Sequence, residues 1–287
     1  LSIIDIDNGM QPMKNANDAV VFNGEIYNFK DLKESSQYSF ITSSDTEVIL
    51  SEYQDKAKGF CDSLNGMYGI ALYDGKRNSL TLAVDPLGIK SIYVFENDDY
   101  LVFSSELVPL CKYISTVLSI PIKVDLTSTS EYLYHGMFLN KNTPVEGIKK
   151  ILPGTIFTQS LAQKNSQEYK INYQPSLNSK CSLQDAVSSA INRQLVADVP
   201  ICLFLSGGID SSLLAATLAQ QKVNLKCYTF SFEESSVDES THAMLLAEKL
   251  GLECELVKVE SLDLVESFKD AIHKMDEPIS DFASVPL

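Results

Sequence analysis

A chain of 287 residues is long enough for two domains of ordinary size, and with 45% hydrophobic residues it can fill a packed core in each. A formal net charge of -15 and a pI near 4.6 argue against a surface built for nucleic acid or an anionic membrane, which needs clustered Lys and Arg. The acidity fits a well-solvated cytoplasmic protein.

Six cysteines are scattered at 61, 111, 181, 202, 227 and 254 without any Cys-x-x-Cys pair, so reduced thiols are expected rather than zinc or disulfides. No apolar run approaches a membrane span, and the N-terminus carries no signal-peptide pattern. Leu1-Ser2-Ile3-Ile4-Asp5-Ile6 opens without Met and reads as a strand already under way, so the sequence reads as a fragment.

The first half alternates short apolar runs with turn signals. Val20–Asn23, Tyr38–Thr42, Met67–Tyr73, Ser79–Val84, Ile92–Phe95 and Leu101–Ser104 read as strands. Asp74-Gly75 and Asn97-Asp98 sit where tight hairpin turns belong, and Asp45–Tyr53 reads as a helix among the strands. The pattern predicts an α+β domain over residues 1–157, with antiparallel sheets and packed helices. From Thr158 the chain turns polar and rich in Gln, Asn and Ser, as a linker or surface excursion over 158–181 would be.

A helix is predicted from Ser182, with Leu183, Ala186, Val187, Ala190, Ile191 and Leu195 on one face. Beyond it the order becomes strand, helix, strand, helix: Ile201–Leu205, Ser211–Ala219, Lys226–Phe232, and Glu239–Leu250 stopped by Gly251. Unbroken apolar strands separated by helices predict an α/β parallel-sheet domain over 182–287. Cys202, inside an apolar strand, is expected to be a buried, inert thiol.

Leu205-Ser206-Gly207-Gly208-Ile209-Asp210-Ser211-Ser212 stands where a strand gives way to a helix, the end of a parallel sheet at which ligands bind. Adjacent glycines let the backbone approach a phosphate and take conformations closed to other residues. The following helix N-terminus offers free N–H groups and a positive dipole end. Ser206, Ser211 and Ser212 add hydroxyls, and Asp210 can hold Mg²⁺ through its carboxylate. No Gly-Lys-Ser/Thr follows, so this is not a Walker loop. It resembles the Ser-Gly-Gly-x-Asp-Ser-Ser (PP-loop) motif of the ATP pyrophosphatases, which cleave ATP between its α- and β-phosphates; a plain strand-to-helix turn is the bland alternative.

Asn23-Gly24-Glu25-Ile26-Tyr27-Asn28 follows a strand and resembles the glutamine-site signature of class II glutamine amidotransferases. In isolation Asn-Gly most often marks a hairpin turn, and Ser43-Ser44-Asp45-Thr46-Glu47 a helix start. Under the resemblance, Asn23 and the Gly24 N–H supply an oxyanion hole, while Asp45, helped by Glu25, meets the α-ammonium group of glutamine.

Taken together, these segments resemble the glutamine-hydrolysing asparagine synthetase family over nearly the whole chain. Gln11-Pro12-Met13, Leu64-Asn65-Gly66-Met67-Tyr68, Asp85-Pro86-Leu87-Gly88-Ile89-Lys90, Phe103-Ser104-Ser105-Glu106-Leu107, Asp198-Val199-Pro200 and Phe230-Ser231-Phe232-Glu233-Glu234 recur in the same order. The resemblance implies an Ntn-hydrolase-like glutaminase domain feeding ammonia to an ATP-dependent synthetase domain that adenylates aspartate. Ser206, Gly207, Gly208, Ser211 and Ser212 would then bind the pyrophosphate portion of ATP, Asp210 the Mg²⁺, and Phe204 and Phe230 the adenosine. It also implies a homodimer, and leaves open another carboxylate acceptor or a non-catalytic ATP- or glutamine-binding protein.

Departures accompany the resemblance. Family members start at a nucleophilic cysteine, for which none of the cysteines here substitutes, and Leu1 falls downstream of that position and of an arginine that grips the glutamine carboxylate. The sequence ends at Leu287, before the family's second Ser-Gly-x-Gly-x-Asp-Glu segment, so the fragment is expected to lack the full activity. His135, His242 and His273 have no metal-like spacing and read as surface or satisfied residues. Asp276-Glu277-Pro278 fits either the wall of the synthetase cleft or a solvated loop.

Overall fold

The computed structural model describes residues 3–173, 181–223, 225–232, 238–259 and 261–278. They fall into two compact units, the first reaching Tyr173 and including Asp276–Pro278, the second covering Cys181–Met275.

In the first unit, β1 (Met13–Lys14), β2 (Asp18–Ile26), β3 (Gly66–Asp74), β4 (Ser79–Val84), β8 (Thr155–Ser160) and β9 (Ser166–Lys170) form an antiparallel sheet in the order β1-β2-β3-β4-β8-β9. A smaller antiparallel sheet runs β6-β5-β7, from β5 (Tyr93–Glu96), β6 (Leu101–Ser104) and β7 (Ile148–Lys150). The helices are α1 (Phe29–Ser35), α2 (Thr46–Lys56), α3 (Leu107–Thr116) and α4 (Leu126–His135), with a 3₁₀ segment at Ala57–Ser63.

Tyr68 through Leu72 on β3 are buried without a break, because this strand is covered on both faces. On one face Ala71, Leu82, Val84 and Phe157 join Ile92, Val94 and Ile151 of the small-sheet side in one cluster. Helix α2, whose Val48, Ile49 and Leu50 are buried, packs on β2. Helix α3 sends Leu107, Leu110 and Ile114 against Tyr93, Phe95 and Ile148.

Asp85, directly after β4, is 1% exposed. Its Oδ1 accepts the N–H of Leu87 at 3.0 Å and of Ile89 at 3.1 Å, and its Oδ2 accepts the N–H of Lys90 at 3.0 Å and of Tyr68 at 3.2 Å. Its carbonyl accepts Gly88 N–H at 3.0 Å and Gly154 N–H at 2.8 Å. The loop is pressed so closely that a Cβ on Gly88, at φ +70°, would lie 2.6 Å from Pro153 Cγ.

The second unit holds a parallel sheet ordered β10-β11-β12, from β10 (Cys202–Phe204), β11 (Lys226–Phe232) and β12 (Cys254–Val259). Its helices are α5 (Leu183–Gln194), α6 (Ile209–Gln220), α7 (Ser240–Leu250) and α8 (Ser261–Lys274). Ser182 caps α5 by accepting Asp185 N–H at 3.1 Å, and Gly251 ends α7 at φ +68°. Leu205, Ala215, Leu218, Cys227, Ala243 and Ala247 form its core with Ile191; of the stripe expected on α5, Leu183 is 82% exposed.

Several expectations are corrected. Leu1 and Ser2, and Glu233–Val237, lie outside the described residues, but residues 3–6 form no strand and lead into a turn closed by Asn8 and Gly9 N–H on the Asp5 carbonyl. Tyr38–Thr42 is not a strand: Ile41 and Thr42 give their N–H groups to the Glu47 carboxylate at 2.9 and 2.8 Å, which leaves no sheet partner. The polar stretch expected to act as linker from Thr158 is strand up to Ser160, and Ser166–Lys170 is an edge strand, where both faces meet water and polar side chains suit it. The domain limit expected at 157 therefore moves past Lys170. Asp74-Gly75 opens a longer connection, since β4 begins at Ser79 and the Asp74 carboxylate holds Arg77 N–H and Tyr53 OH at 2.8 Å each. Cys202 is exposed, because β10 is a short edge strand. Asp276 is no solvated loop residue: its Oδ1 accepts the N–H groups of Leu107 at 2.6 Å and Val108 at 3.3 Å and so caps α3, while Glu277 pairs with Lys150 at 2.9 Å.

No helix among the described residues is long and apolar enough to cross a membrane. Asp85→Ala leaves four backbone N–H groups, that of Tyr68 buried and the others part-buried, without their acceptor. It is expected to destabilise the first unit by about 2–4 kcal/mol, measured as a shift of the urea midpoint at constant slope.

Candidate functional sites in the two units

Asn23, Gly24 and Glu25 lie within β2, opposite Gly69, Tyr68 and Met67 of β3, so the Asn-Gly pair is not a hairpin turn. Gly24 has φ +149°, and a Cβ there would stand 1.9 Å from the Met67 carbonyl oxygen; only glycine lets the two strands meet at that point. Gln11 grips the same strand, donating from Nε2 to Phe22 O at 2.9 Å and accepting Phe22 N–H at 2.6 Å. Asn23 faces a cavity of ≈ 280 Å³ whose walls include Gly69, Phe103, Ser104 and Ser105.

Asp45 precedes α2 but makes no side-chain cap; its Oδ2 instead accepts Ile26 N–H at 3.0 Å, tying helix to strand. It is 6% exposed, and burial pushes its pKa up despite that hydrogen bond. Burial, and next the charge of Asp45, raise the Glu25 pKa, while Lys90 pulls it down. Two carboxylates that repel one another thus lie beside Gly24, and the Lys90 charge acts on Glu25. Such a pair favours an incoming cation such as an α-ammonium group. Lys90 was legible only as part of a sequence landmark, because its role depends on the Asp85 loop that folds it back.

Cys61 is 1% exposed, and burial pushes its thiol well above the usual range, so it is no nucleophile. His135, His242 and His273 are all exposed, and no group of three or more His, Cys, Asp or Glu among the described residues forms a metal cage.

In the second unit the loop after β10 is held by its own serines. Ser206 Oγ and Ser211 Oγ lie 2.8 Å apart, Ser211 Oγ donates to Ser206 O at 2.9 Å, and Gly208 N–H donates to Ser206 Oγ at 3.2 Å. Ser212 Oγ donates to Gly208 O at 2.6 Å. Helix α6 starts at Ile209, two residues earlier than expected, which puts exposed Asp210 in its first turn. Neither Gly207 nor Gly208 has positive φ, so unusual backbone angles do not explain the pair. Gly207 is needed for space: a Cβ there would meet Glu239 Cβ at 3.0 Å and His242 Cβ at 3.1 Å. Phe204 is 56% exposed, with its ring centroid 5.9 Å from that of Phe230, so the two make an apolar ledge at the same end of the sheet. Behind them Asp238 accepts Ser231 Oγ at 2.6 Å and Ser240 N–H at 2.8 Å, fixing the start of α7.

The two site geometries correspond to two family regions. Residues 1–170 match the model described as glutamine amidotransferase domain, and residues 182–287 that described as asparagine synthase. The chain belongs to the glutamine-hydrolysing asparagine synthetase family. Asparagine synthetase [glutamine-hydrolyzing] 1 of Bacillus subtilis (strain 168) is 30% identical over 300 residues, covering 100% of this chain and 46% of that protein. Asparagine synthetase [glutamine-hydrolyzing] 3 of the same organism is 31% identical, covering 97% and 49%. Amidase chyE of Penicillium rubens is 28% identical, covering 98% and 45%. The chain thus spans about half the length of the curated relatives it matches.

Two outcomes test these sites. The raised Asp45 pKa means that the folded state holds this proton more tightly than the unfolded chain, so stability falls as pH rises from below 3.8 through the folded pKa. Asp45→Asn is expected to melt higher than the parent at about pH 7, with the gap closing toward about pH 4, and to lose glutamine affinity. In the second unit, Gly207→Ala is expected to weaken nucleotide binding roughly tenfold by forcing the loop off α7. Gly208→Ala, whose Cβ meets only Ser206 Oγ at 3.2 Å, is expected to change it by less than about twofold. Titration of each variant with ATP checks the order.

Proposed function

We propose that the protein to which this chain belongs is a glutamine-dependent asparagine synthase: it moves the amide nitrogen of glutamine to aspartate through a β-aspartyl-AMP intermediate. The observation that carries this reading is the conjunction of an acidic pair beside a strand-borne Asn-Gly in one unit with a serine-lined loop at a helix N-terminus in the other.

In the first unit the glutamine α-ammonium group meets Asp45 and Glu25. The carbonyl oxygen of its side chain turns to Asn23 and the Gly24 N–H, which stabilise the oxyanion as a thiolate attacks. Collapse of that intermediate releases ammonia and leaves glutamate after hydrolysis.

In the second unit the ATP phosphates lie along the N-terminus of α6, where free N–H groups and the dipole favour negative charge. Ser206, Gly207, Gly208, Ser211 and Ser212 hold the pyrophosphate portion, and Phe204 and Phe230 take the adenosine. Asp210, an exposed carboxylate in the first turn of α6, suits Mg²⁺, which keeps few protein ligands and relies on phosphate oxygens. An ion held by Asp210 would supply charge neutralisation at the phosphates. An aspartate β-carboxylate oxygen attacks the α-phosphorus and pyrophosphate leaves; ammonia then attacks the acyl carbon and AMP leaves. Adenylation is needed because a carboxylate oxygen is a poor leaving group and AMP a good one. We further take the enzyme to act as a homodimer in the cytoplasm.

The amidase relative favours a second reading, the same activation chemistry on another carboxylate acceptor. Pyrophosphate release by the enzyme carrying this chain separates the two. Release matched mole for mole by asparagine, and dependent on aspartate, is expected. Release driven by a sugar acid or peptide acid with aspartate inert would replace aspartate as acceptor.

A further inference from the structure

A second depression of ≈ 340 Å³ opens in the first unit between β5 and β7 of the small sheet and β8 and β9 of the large one. It shares no lining residue with the cavity beside Asn23. Its volume falls in the range of about 300–1,000 Å³ usual for small-molecule sites.

The walls are charged with both signs. Lys141, Lys149 and Lys150 stand there with Glu96 and Glu168, a local concentration of cations in a chain with 23 basic and 38 acidic residues. Lys141 pairs with Glu168 at 2.5 Å and Lys150 with Glu277 at 2.9 Å. Lys149 is exposed and has no partner among the described residues.

Gln159 adds a second, independent observation. It lies two residues from the lining Phe157, on the same face of β8, and is 5% exposed. Its Nε2 donates to Glu96 Oε1 at 2.6 Å. Its Oε1 is buried without a hydrogen-bond partner among the described residues. That oxygen is out of reach of the depression, and it is the amide nitrogen that serves the wall, by fixing Glu96. The Glu96 carboxylate on the wall accepts only, so the complementary group is an ammonium. Across the depression, Lys149 and Lys141 complement a carboxylate.

We propose that this depression binds a free α-amino acid, with its ammonium group on Glu96, which Gln159 Nε2 holds in place, and its carboxylate on Lys149 and Lys141. It is a site separate from the glutamine pocket and independent of the catalytic reading above.

Calorimetric titration tests it, using L-asparagine, L-aspartate and L-glutamate in turn on the parent protein and on Asp45→Asn, which silences the glutamine pocket. At least one amino acid is expected to bind both proteins with equal affinity, Kd below about 10 mM, and at least about tenfold tighter than acetate or propylamine, each of which carries half of the ligand. Lys149→Ala, at an exposed position that does not threaten folding, and Glu96→Gln are each expected to weaken binding about fivefold or more. The site is refuted by any of four results: no amino acid binds; binding vanishes with Asp45→Asn; Lys149→Ala leaves it unchanged; or acetate binds as tightly as the amino acid.

Discussion

The first unit is organised around one buried carboxylate. A desolvated Asp is costly unless its oxygens are filled, and Asp85 fills them with backbone N–H groups from Tyr68, Leu87, Ile89 and Lys90. That arrangement turns a six-residue loop into a rigid bracket. On one side it seizes β3 at Tyr68, the residue opposite Gly24; on the other its carbonyl seizes Gly154, where β8 is about to begin. Lys90, held by its own N–H, comes back toward Glu25. The acidic pocket on β2 is therefore located by a residue that does not belong to it.

The second unit positions its loop by different means. Its glycines serve proximity rather than unusual torsion: Gly207 lets the loop lie against Glu239 and His242 of the α7 start, and Asp238 pins that start to β11. The loop shape is thus shared between two helices and a strand, and a change in α7 reaches the Ser206–Gly208 backbone. In both units a buried or half-buried Asp ties a loop beside the candidate site.

Much of this was legible in the residues, and the misses have physical causes. Met67–Tyr73, Ser79–Val84 and the α6 and α7 segments were visible because unbroken apolar runs and helical spacing report burial directly. Tyr38–Thr42 carried the same aromatic and β-branched signal, but Glu47, five residues on, captured its N–H groups; side-chain competition for the backbone leaves no trace in periodicity. Ser166–Lys170 looked like linker because an edge strand wetted on both faces needs no apolar residue. Asn23-Gly24 kept two readings open, since a turn and a close strand approach both call for glycine, and only the register on β3 separates them. Asp276 could not be placed from sequence at all: its partners, Leu107 and Val108, lie more than 160 residues earlier.

The hydroxyls of Ser206 and Ser211 already satisfy one another. A phosphate that enters must trade those bonds for new ones, so the exchange nets little enthalpy from the serines themselves. The attraction left over is the partial positive charge at the head of α6, which mobile ions screen. Nucleotide affinity at this loop should thus be governed by ionic strength more than by the number of hydroxyls lining it, which makes the serines instruments of shape and the helix the source of attraction.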